Sequence, residues 1–374
     1  MSNSLPMNYK SLFQRIMSYG SFDRMPVVHW GEWSETRERW IAEGLPPASD
    51  LNEPLDAVPL WASLIDGDSW LGVGSAKDDI NIGLFPPFEV EEIEQTPDYR
   101  IYKGNDGVLR QEWKHGSGIP RYIGYTLKGA KDWDAYKQRL KPDPARIAPG
   151  LAERLKRKES SGLPICFPAG SLMGWIRNWM GLENMVYLQF DQREVYADMV
   201  MTIAELTCWA ADQVLPRVRA DLAHSWEDIC GRAGPLISPE IFDECVAPGY
   251  QKIRSKLEEY GVRLYSVDSD GDIRALAGHW LDAGVNLLFP LEVGPFRGDA
   301  LEYRKKYGKS LRLMGNFDKL SLEKGRDAVN AEIERLLPLM KDGGYIIASD
   351  HHITPGVALS DYRWYLERIR SLRF

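Results

Sequence analysis

From about residue 160 to the C-terminus the chain repeats one pattern, a short apolar run followed by an amphipathic stretch with helical spacing. "LPICFPAG" precedes "REVYADMVMTIAELTCWAADQVL", "ADLAHSWED" precedes "SPEIFDECVAPGYQKIRSKLEEYG", and "VRLYSVDSDGD" precedes "IRALAGHWLDAG". "VNLLFPLEV", "LRLMGNFDK" and "GYIIASDHH" head three more such units, followed by "DALEYRKKYG", "KGRDAVNAEIERLLPLMKDG" and "LSDYRWYLERIRSL". Six consecutive strand-then-helix units are the signature of parallel βα architecture. Nearer the N-terminus "MPVVHWGEW" and the helical "SETRERWIAEG" form another, and a further strand is expected within residues 55–90. Eight such units close as a (β/α)8 TIM barrel, one α/β domain over residues 1–374. An open doubly wound sheet fits less well, because no GxGxxG follows any strand.

Two segments depart from the repeat. Residues 88–125 alternate in polarity about "NDG", which predicts an antiparallel hairpin inserted into the barrel. "MNYKSLFQRIMSYG" has the spacing of an amphipathic helix and is expected to cap the barrel bottom.

A barrel of this kind builds its site at the C-terminal ends of its strands, so the polar residues that end each apolar run carry the chemistry. The first run ends in His29, Trp30, Glu32 and Trp33, the "ADLAHSWED" run in His224, Trp226, Glu227 and Asp228. "LYSVDSDGD" supplies Asp268, Asp270 and Asp272, "FPLE" Glu292, and "LMGNFDK" Asn316, Asp318 and Lys319. The last run ends in Asp350, His351 and His352, so four of the six histidines fall on this rim. Asp272 reads more simply as a helix cap, and His115 and His279 lie off the strand ends. Carboxylates and imidazoles converging there can ligate a divalent metal or serve as general acid and base. The residue types allow both.

Composition narrows the partners. The formal charge is −8, from 46 basic and 54 acidic residues, and the basic residues lack aromatic interleaving, so no nucleic-acid partner is expected. No apolar run approaches the roughly 18 to 20 residues of a membrane span. Cys166, Cys208, Cys230 and Cys245 show no CxxC spacing and "MSNSLPMNYK" has no signal-peptide core, which predicts a cytoplasmic protein with reduced thiols. Thirteen Trp and 17 Tyr suit either an aromatic-rich core or a pocket for a flat or apolar ligand.

In order along the chain, "FDRMPVV", "WIRNWMGLENM", "PLISPEIFDECVAPGYQKI", "SDGDI", "AGVNLLFPLE", "LRLMGNFDKLSLEKG" and "GGYIIASDHHITPGVALSDYRWYL" resemble the uroporphyrinogen decarboxylase superfamily. That superfamily includes porphyrin decarboxylases and methyltransferases that pass methyl groups to or from corrinoid proteins. The decarboxylases grip their polycarboxylate substrate with an arginine motif just after the first strand. Here that stretch reads "VVHWGEWSETRERW", with Arg37 and Arg39 displaced onto a helix and Glu32 repulsive to a polyanion. Their early catalytic aspartate has only "LIDGDSW" as a match, through Asp66 or Asp68.

The corrinoid-linked relatives bind zinc through an H-x-C after the fifth strand and a cysteine after the eighth. Those places fall on Asp268 and Asp270 and near Asp350 to His352, and Glu292 matches a glutamate ligand of the cobalamin-independent methionine synthase type. The resemblance therefore implies a metal set of Asp268, Asp270, Glu292 and His351, zinc as the metal, and an oxygen-rich centre suited to a substrate that presents oxygen. It implies catalytic roles among His351, His352, Asp270, Glu227 and Lys319, and a substrate pocket lined by His29, Trp30, Trp33, His224, Trp226 and Asn316. The expected activity is transfer of a methyl group from a small, O-methylated compound to a corrinoid protein. A cofactor-independent decarboxylase and a non-catalytic corrinoid- or tetrapyrrole-binding barrel are the alternatives. Adjacent residues on a strand point oppositely, so one of His351 and His352 is expected to face the site, with His351 favoured.

Overall fold

The computed structural model describes residues 9–65, 67–115 and 120–374, with backbone alone at 67 and 68. The barrel strands are β1 (Ala62–Ser63), β6 (Ile165–Pro168), β7 (Leu222–Trp226), β10 (Leu264–Asp268), β11 (Leu287–Phe289), β12 (Arg312–Phe317) and β13 (Tyr345–Ser349). They pair in parallel in the order β1-β6-β7-β10-β11-β12-β13. Strands β2 to β5 (Glu91–Gln95, Tyr99–Lys103, Val108–Trp113, Arg121–Tyr125) and the short pair β8 and β9 (Cys230–Gly231, Gly234–Pro235) lie outside this sheet.

Residues 27–33 supply the eighth stave without forming a continuous ladder. Val28 pairs with Val58 and Glu32 with Ile353, each as an isolated parallel bridge. His29 N donates to Val58 O at 3.0 Å, and Trp33 N to Ile353 O at 3.1 Å, so this segment joins the approach to β1 to the exit from β13. The expected strand "MPVVHWGEW" is thus an extended edge-closing segment, and the strand sought in residues 55–90 is the two-residue β1. The result is a (β/α)8 barrel.

The apolar character of the strands follows from coverage on both faces. β6, β11 and β13 are buried at every position, as parallel strands between a filled interior and an outer helical layer must be. The outer helices bury single stripes: Arg326–Asp342 buries Val329, Ile333, Leu336, Leu339 and Met340, spaced by three and four residues. The helix Tyr9–Met17 buries Tyr9, Leu12, Phe13, Ile16 and Met17. Tyr9 donates to Leu60 O and Gly344 N to Ile16 O, both just before strands β1 and β13, so this helix covers the N-terminal end of the barrel.

The insertion is larger than a hairpin. Strands β2, β3, β4 and β5 form a four-stranded antiparallel sheet in that order, and the "NDG" turn joins only its middle two strands. Charged side chains at three of the five exposed positions of β2 obscured the alternation that would have marked an outer strand. Among the described residues no helix is long and apolar enough to cross a membrane.

Candidate functional site at the C-terminal mouth of the barrel

The end of β10 and the loops that follow β7, β10, β11 and β13 bring four acids and a histidine together. Ligand atoms of Asp270, Glu292 and His351 lie within 4.8 Å of one another, and so do those of Asp228, Asp268 and Asp270. Asp270 belongs to both groups and bridges them. Its backbone N donates to Asp228 Oδ1 at 3.2 Å, and its Oδ2 lies 3.3 Å from His351 Nε2.

Local backbone geometry makes this convergence. Asp228, Leu291 and Asn316, at the ends of three barrel strands, have φ of 46°, 61° and 61°. Such left-handed non-glycine residues cost energy and collect where a structure must aim particular groups. Gly271 has φ of 89°, and a Cβ there would stand 2.5 Å from Cys230 O, so only glycine fits. Its N donates to Glu292 Oε2 at 2.9 Å, fixing that carboxylate beside Asp270. Asp350 ties three loops: it accepts from Val293 N at 3.0 Å and from Lys319 N at 3.1 Å. Lys319 Nζ lies 3.6 Å from Asp350 Oδ1 and 3.9 Å from Glu292 Oε1.

Crowded like charge away from bulk water moves the titrations. Burial, followed by the charge of Asp270, pushes Asp228 up to about 6 and Glu292 up to about 7. Burial and the neighbouring Asp228, Asp270 and Glu292 push Asp268 well above the usual carboxylate range. Burial also raises Asp350, against the pull of Lys319. For His351, burial opposes the cation, but the bond and charge of Asp270 outweigh it and the imidazole is raised. His352 moves the other way, to about 4, through burial and then repulsion by His351.

Both histidines of the pair face the mouth, in different roles. β13 ends at Ser349, so strand alternation no longer governs residues 351 and 352. His351 meets Asp270, while the His352 ring packs 4.7 Å from Trp30 and 5.9 Å from Trp33. A Cβ on Gly31 would stand 2.6 Å from His352 Nε2, so the ring is wedged against that backbone. Trp33 stacks on His351 at 5.8 Å, and Trp30 donates its Nε1 to Ser349 O at 3.0 Å.

Deeper in the mouth, His224 packs 4.7 Å from Trp61, 5.0 Å from Trp70 and 6.4 Å from Phe289. Burial drives its imidazole down to about 3, so it stays neutral. Trp226 is half-buried, with the Arg177 guanidinium 5.6 Å from its ring. Arg177 also donates to Asp228 O.

Three sequence-predicted residues belong to the framework instead. Glu227 is fully buried and accepts from Ser171 Oγ and from the N–H groups of Leu172, Met173 and Gly174, each at 2.9 Å, and from Tyr250. It anchors the start of helix Gly174–Met180, and its acceptor sites are filled. Asn316 donates to Leu291 O and Gly298 O at 2.8 and 2.9 Å and accepts from Ala300 N at 3.1 Å, which leaves nothing for a substrate. His29 engages both ring nitrogens, with Tyr362 Oη at 2.7 Å and Glu32 Oε2 at 2.8 Å, and Glu32 in turn accepts from Arg37.

Arg177, Trp61, Trp70 and Ser266 join the site without having been named from sequence, and Asp228, named there on the rim, joins it although no role was assigned to it. Asp228 was legible as the second acid of "SWED"; Trp61 stood in the region where β1 was expected but not fixed. Asp66 and the side chain of Asp68 lie outside the described residues. Asp272 pairs with Arg274 and accepts from its N–H, as a cap does, and His279 pairs with Asp243 away from the acid cluster.

The donor set fits a divalent metal. It offers carboxylate oxygens and one imidazole in two groups of three atoms, each group within 4.8 Å, and a cation would relieve the repulsion that raises these carboxyls. A thiolate centre is not formed here: no cysteine belongs to either group, and burial pushes the nearby Cys230 thiol up to about 12.

A parallel barrel whose acids and imidazole gather at the C-terminal mouth has the layout of the barrel enzymes. The uroporphyrinogen decarboxylase (URO-D) family model matches residues 144–372, and the chain belongs to that family. Among solved structures, a methyltransferase from Methanosarcina mazei is similar at 15% identity and a TM-score of 0.63, over 96% of this chain and 97% of that one. A candidate vitamin-B12-independent methionine synthase from Listeria monocytogenes is 11% identical over 59% of this chain and 66% of that one, at a TM-score of 0.34, too low to carry an argument. No curated protein matches the chain.

Proposed function

We propose that this protein is a methyltransferase of the URO-D family that removes a methyl group from a small O-methylated compound and passes it to a corrinoid carried by a partner protein. The observation that carries the reading is the acid-rich cluster Asp228, Asp268, Asp270, Glu292 and His351. Such a mouth repels a polycarboxylate porphyrin, which argues against the decarboxylase alternative suggested by the family's name. Barrel similarity to a methyltransferase over almost the whole chain supports the same reading.

Asp268, Asp270, Glu292 and His351 would hold a divalent metal, zinc in the first instance. When bound it supplies Lewis acidity at the oxygen that departs. Methyl transfer breaks the C–O bond, both electrons leave with oxygen, and that oxygen takes up a proton. A reduced corrinoid on a partner protein would supply the electron pair for the new bond to the methyl carbon. The protein's own contribution is positioning: Gly271 N–H and Lys319 hold Glu292, Asp350 holds Lys319, and Trp30 and Trp33 wall the entrance.

The test is metal binding followed by turnover. Cobalt(II) added to metal-free protein should give the visible absorption of a bound ion, lost in Asp270→Asn, and the metal-loaded protein should demethylate methyl ethers with a reduced corrinoid as acceptor. Absence of any bound divalent ion, or release of carbon dioxide from uroporphyrinogen at a comparable rate, would overturn the proposal.

A further inference from the structure

At the end of the barrel opposite the acids, a cavity of about 550 Å³ opens beside the starts of β1 and β6, where Ala62 and Leu163 form part of its wall. A second hollow of about 450 Å³ adjoins it, sharing Arg157 and Ser161. Together their walls carry five cations, Lys77, Arg154, Lys156, Arg157 and Lys158, against the two acids Asp79 and Glu153. The chain as a whole carries −8, so this cleft is charged against the sign of the protein. A concave wall of one sign concentrates counter-ions of the other.

Part of this wall is held in place from within. Asp79, fully buried, accepts from Arg154 Nε and lies 3.1 Å from Lys158 Nζ. Lys158 also donates to Ser63 O at 2.6 Å, and Arg154 donates to Lys77 O, so the helix Leu151–Ser160, strand β1 and the segment of Lys77 are tied together. One carboxylate thus fixes two cationic heads while offsetting one charge. Both side chains stay partly exposed, at 28% and 30%. Lys156 and Arg157 are exposed, and their side chains make no hydrogen bond or ion pair among the described residues. Cations in a last turn suit the helix dipole, which accounts for Arg157 and Lys158. It does not account for Lys77, which reaches the same wall from another segment.

We propose that this cleft binds a chain of two or three phosphates, free or carried on a small organic group. Arg154, Lys158 and Lys77 receive one end of the chain, and Arg157 and Lys156 the other. A phosphate chain presents spaced oxygens to several cations at once, and each guanidinium can give two parallel bonds. A single compact anion cannot span two adjoining hollows. Ala62, Ala76 and Leu163 leave an uncharged side to the cavity, against which an organic group can lie. The site stands at the far end of the barrel from the acid-rich mouth and does not depend on the methyl-transfer reading.

Calorimetric titration of the metal-free full chain with inorganic tripolyphosphate tests this, because without a bound cation the acids of the mouth repel the probe. One saturable site is expected, its affinity falling as salt is raised. The paired change Lys156→Glu and Arg157→Glu, at exposed positions, should weaken it at least about tenfold. As a control, Lys305→Glu with Lys306→Glu changes two exposed cations in the last turn of the helix Ala300–Tyr307 and should leave the affinity unchanged. Citrate, compact and without phosphate, should bind at least about tenfold more weakly than tripolyphosphate. Adenosine triphosphate in a parallel titration separates the two sources: tighter binding than tripolyphosphate supports an organic ester, and weaker binding the free chain. Absence of a saturable site, equal weakening by both pairs of substitutions, or equal affinity for citrate would each overturn the proposal.

Discussion

His351 Nε2 lies 3.3 Å from Asp270 Oδ2, a contact between the loops that follow β13 and β10. These strands stand three places apart in the sheet, so the pair reaches across the mouth instead of joining neighbours. It unites the two groups of candidate metal-ligand atoms, because Asp270 belongs to both.

His351→Ala should therefore weaken divalent-cation binding by at least about tenfold, the scale seen when a metal site loses an ordered imidazole contact. His352→Ala should leave cation affinity nearly unchanged, since that ring packs on Trp30 and Trp33. Competition titration with a zinc indicator distinguishes them, and equal losses would contradict the division of roles.

Glu227→Gln should be costly without touching the mouth. The side chain keeps its shape, but an NH2 replaces an oxygen that faces the N–H groups of Met173 and Gly174, both 2.9 Å away. Reversing one buried acceptor should cost about 2–4 kcal/mol, read from denaturant unfolding. A change below about 0.5 kcal/mol, the scale of an ordinary surface substitution, would mean that the network relaxes freely.

Gly271→Ala meets the Cys230 carbonyl at 2.5 Å and forces an alanine to φ of 89°. Strain of this kind costs on the order of 1–3 kcal/mol. It should also displace the N–H that holds Glu292, so cation affinity falls together with stability; a variant that keeps wild-type affinity would show that Glu292 needs no such anchor.

Glu32 gives an acid-side prediction. Its burial favours the protonated form, but the bond and charge of His29 and Arg37 outweigh this and hold the carboxyl below its ordinary value. A depressed folded pKa contributes stability above the unfolded pKa, about 4.3, and that stability is lost as pH falls through the lower folded value. Glu32→Gln should be less stable than the wild type by about 1–2 kcal/mol at pH 7, with the difference shrinking toward pH 3. Parallel stability curves at both pH values would rule out this account.

Much of the architecture was legible along the chain because burial on both faces writes long parallel strands as continuous apolar runs. All six runs from "LPICFPAG" to "GYIIASDHH" contain barrel strands. Less was legible where pairing is brief: the stave at residues 27–33 makes two isolated bridges, and β1 has two residues. Such short stretches gain their order from neighbours that only the closed barrel supplies.

The same division runs through the site. Acids and histidines at strand ends were readable as a set, since the barrel directs those ends to one rim. Which of them remain open to a ligand was not, because Glu227, Asn316 and His29 are distinguished from Asp270 and Glu292 by long-range partners 16 to 333 residues away in sequence, among them backbone N–H groups of a distant helix. The sequence by itself determined the barrel, its repeated units and the chemistry on its rim, through periodicity and residue type. The tertiary structure alone decided which polar atoms are already satisfied and which face the mouth unbonded, since hydrogen-bond satisfaction depends on long-range contacts that periodicity does not encode.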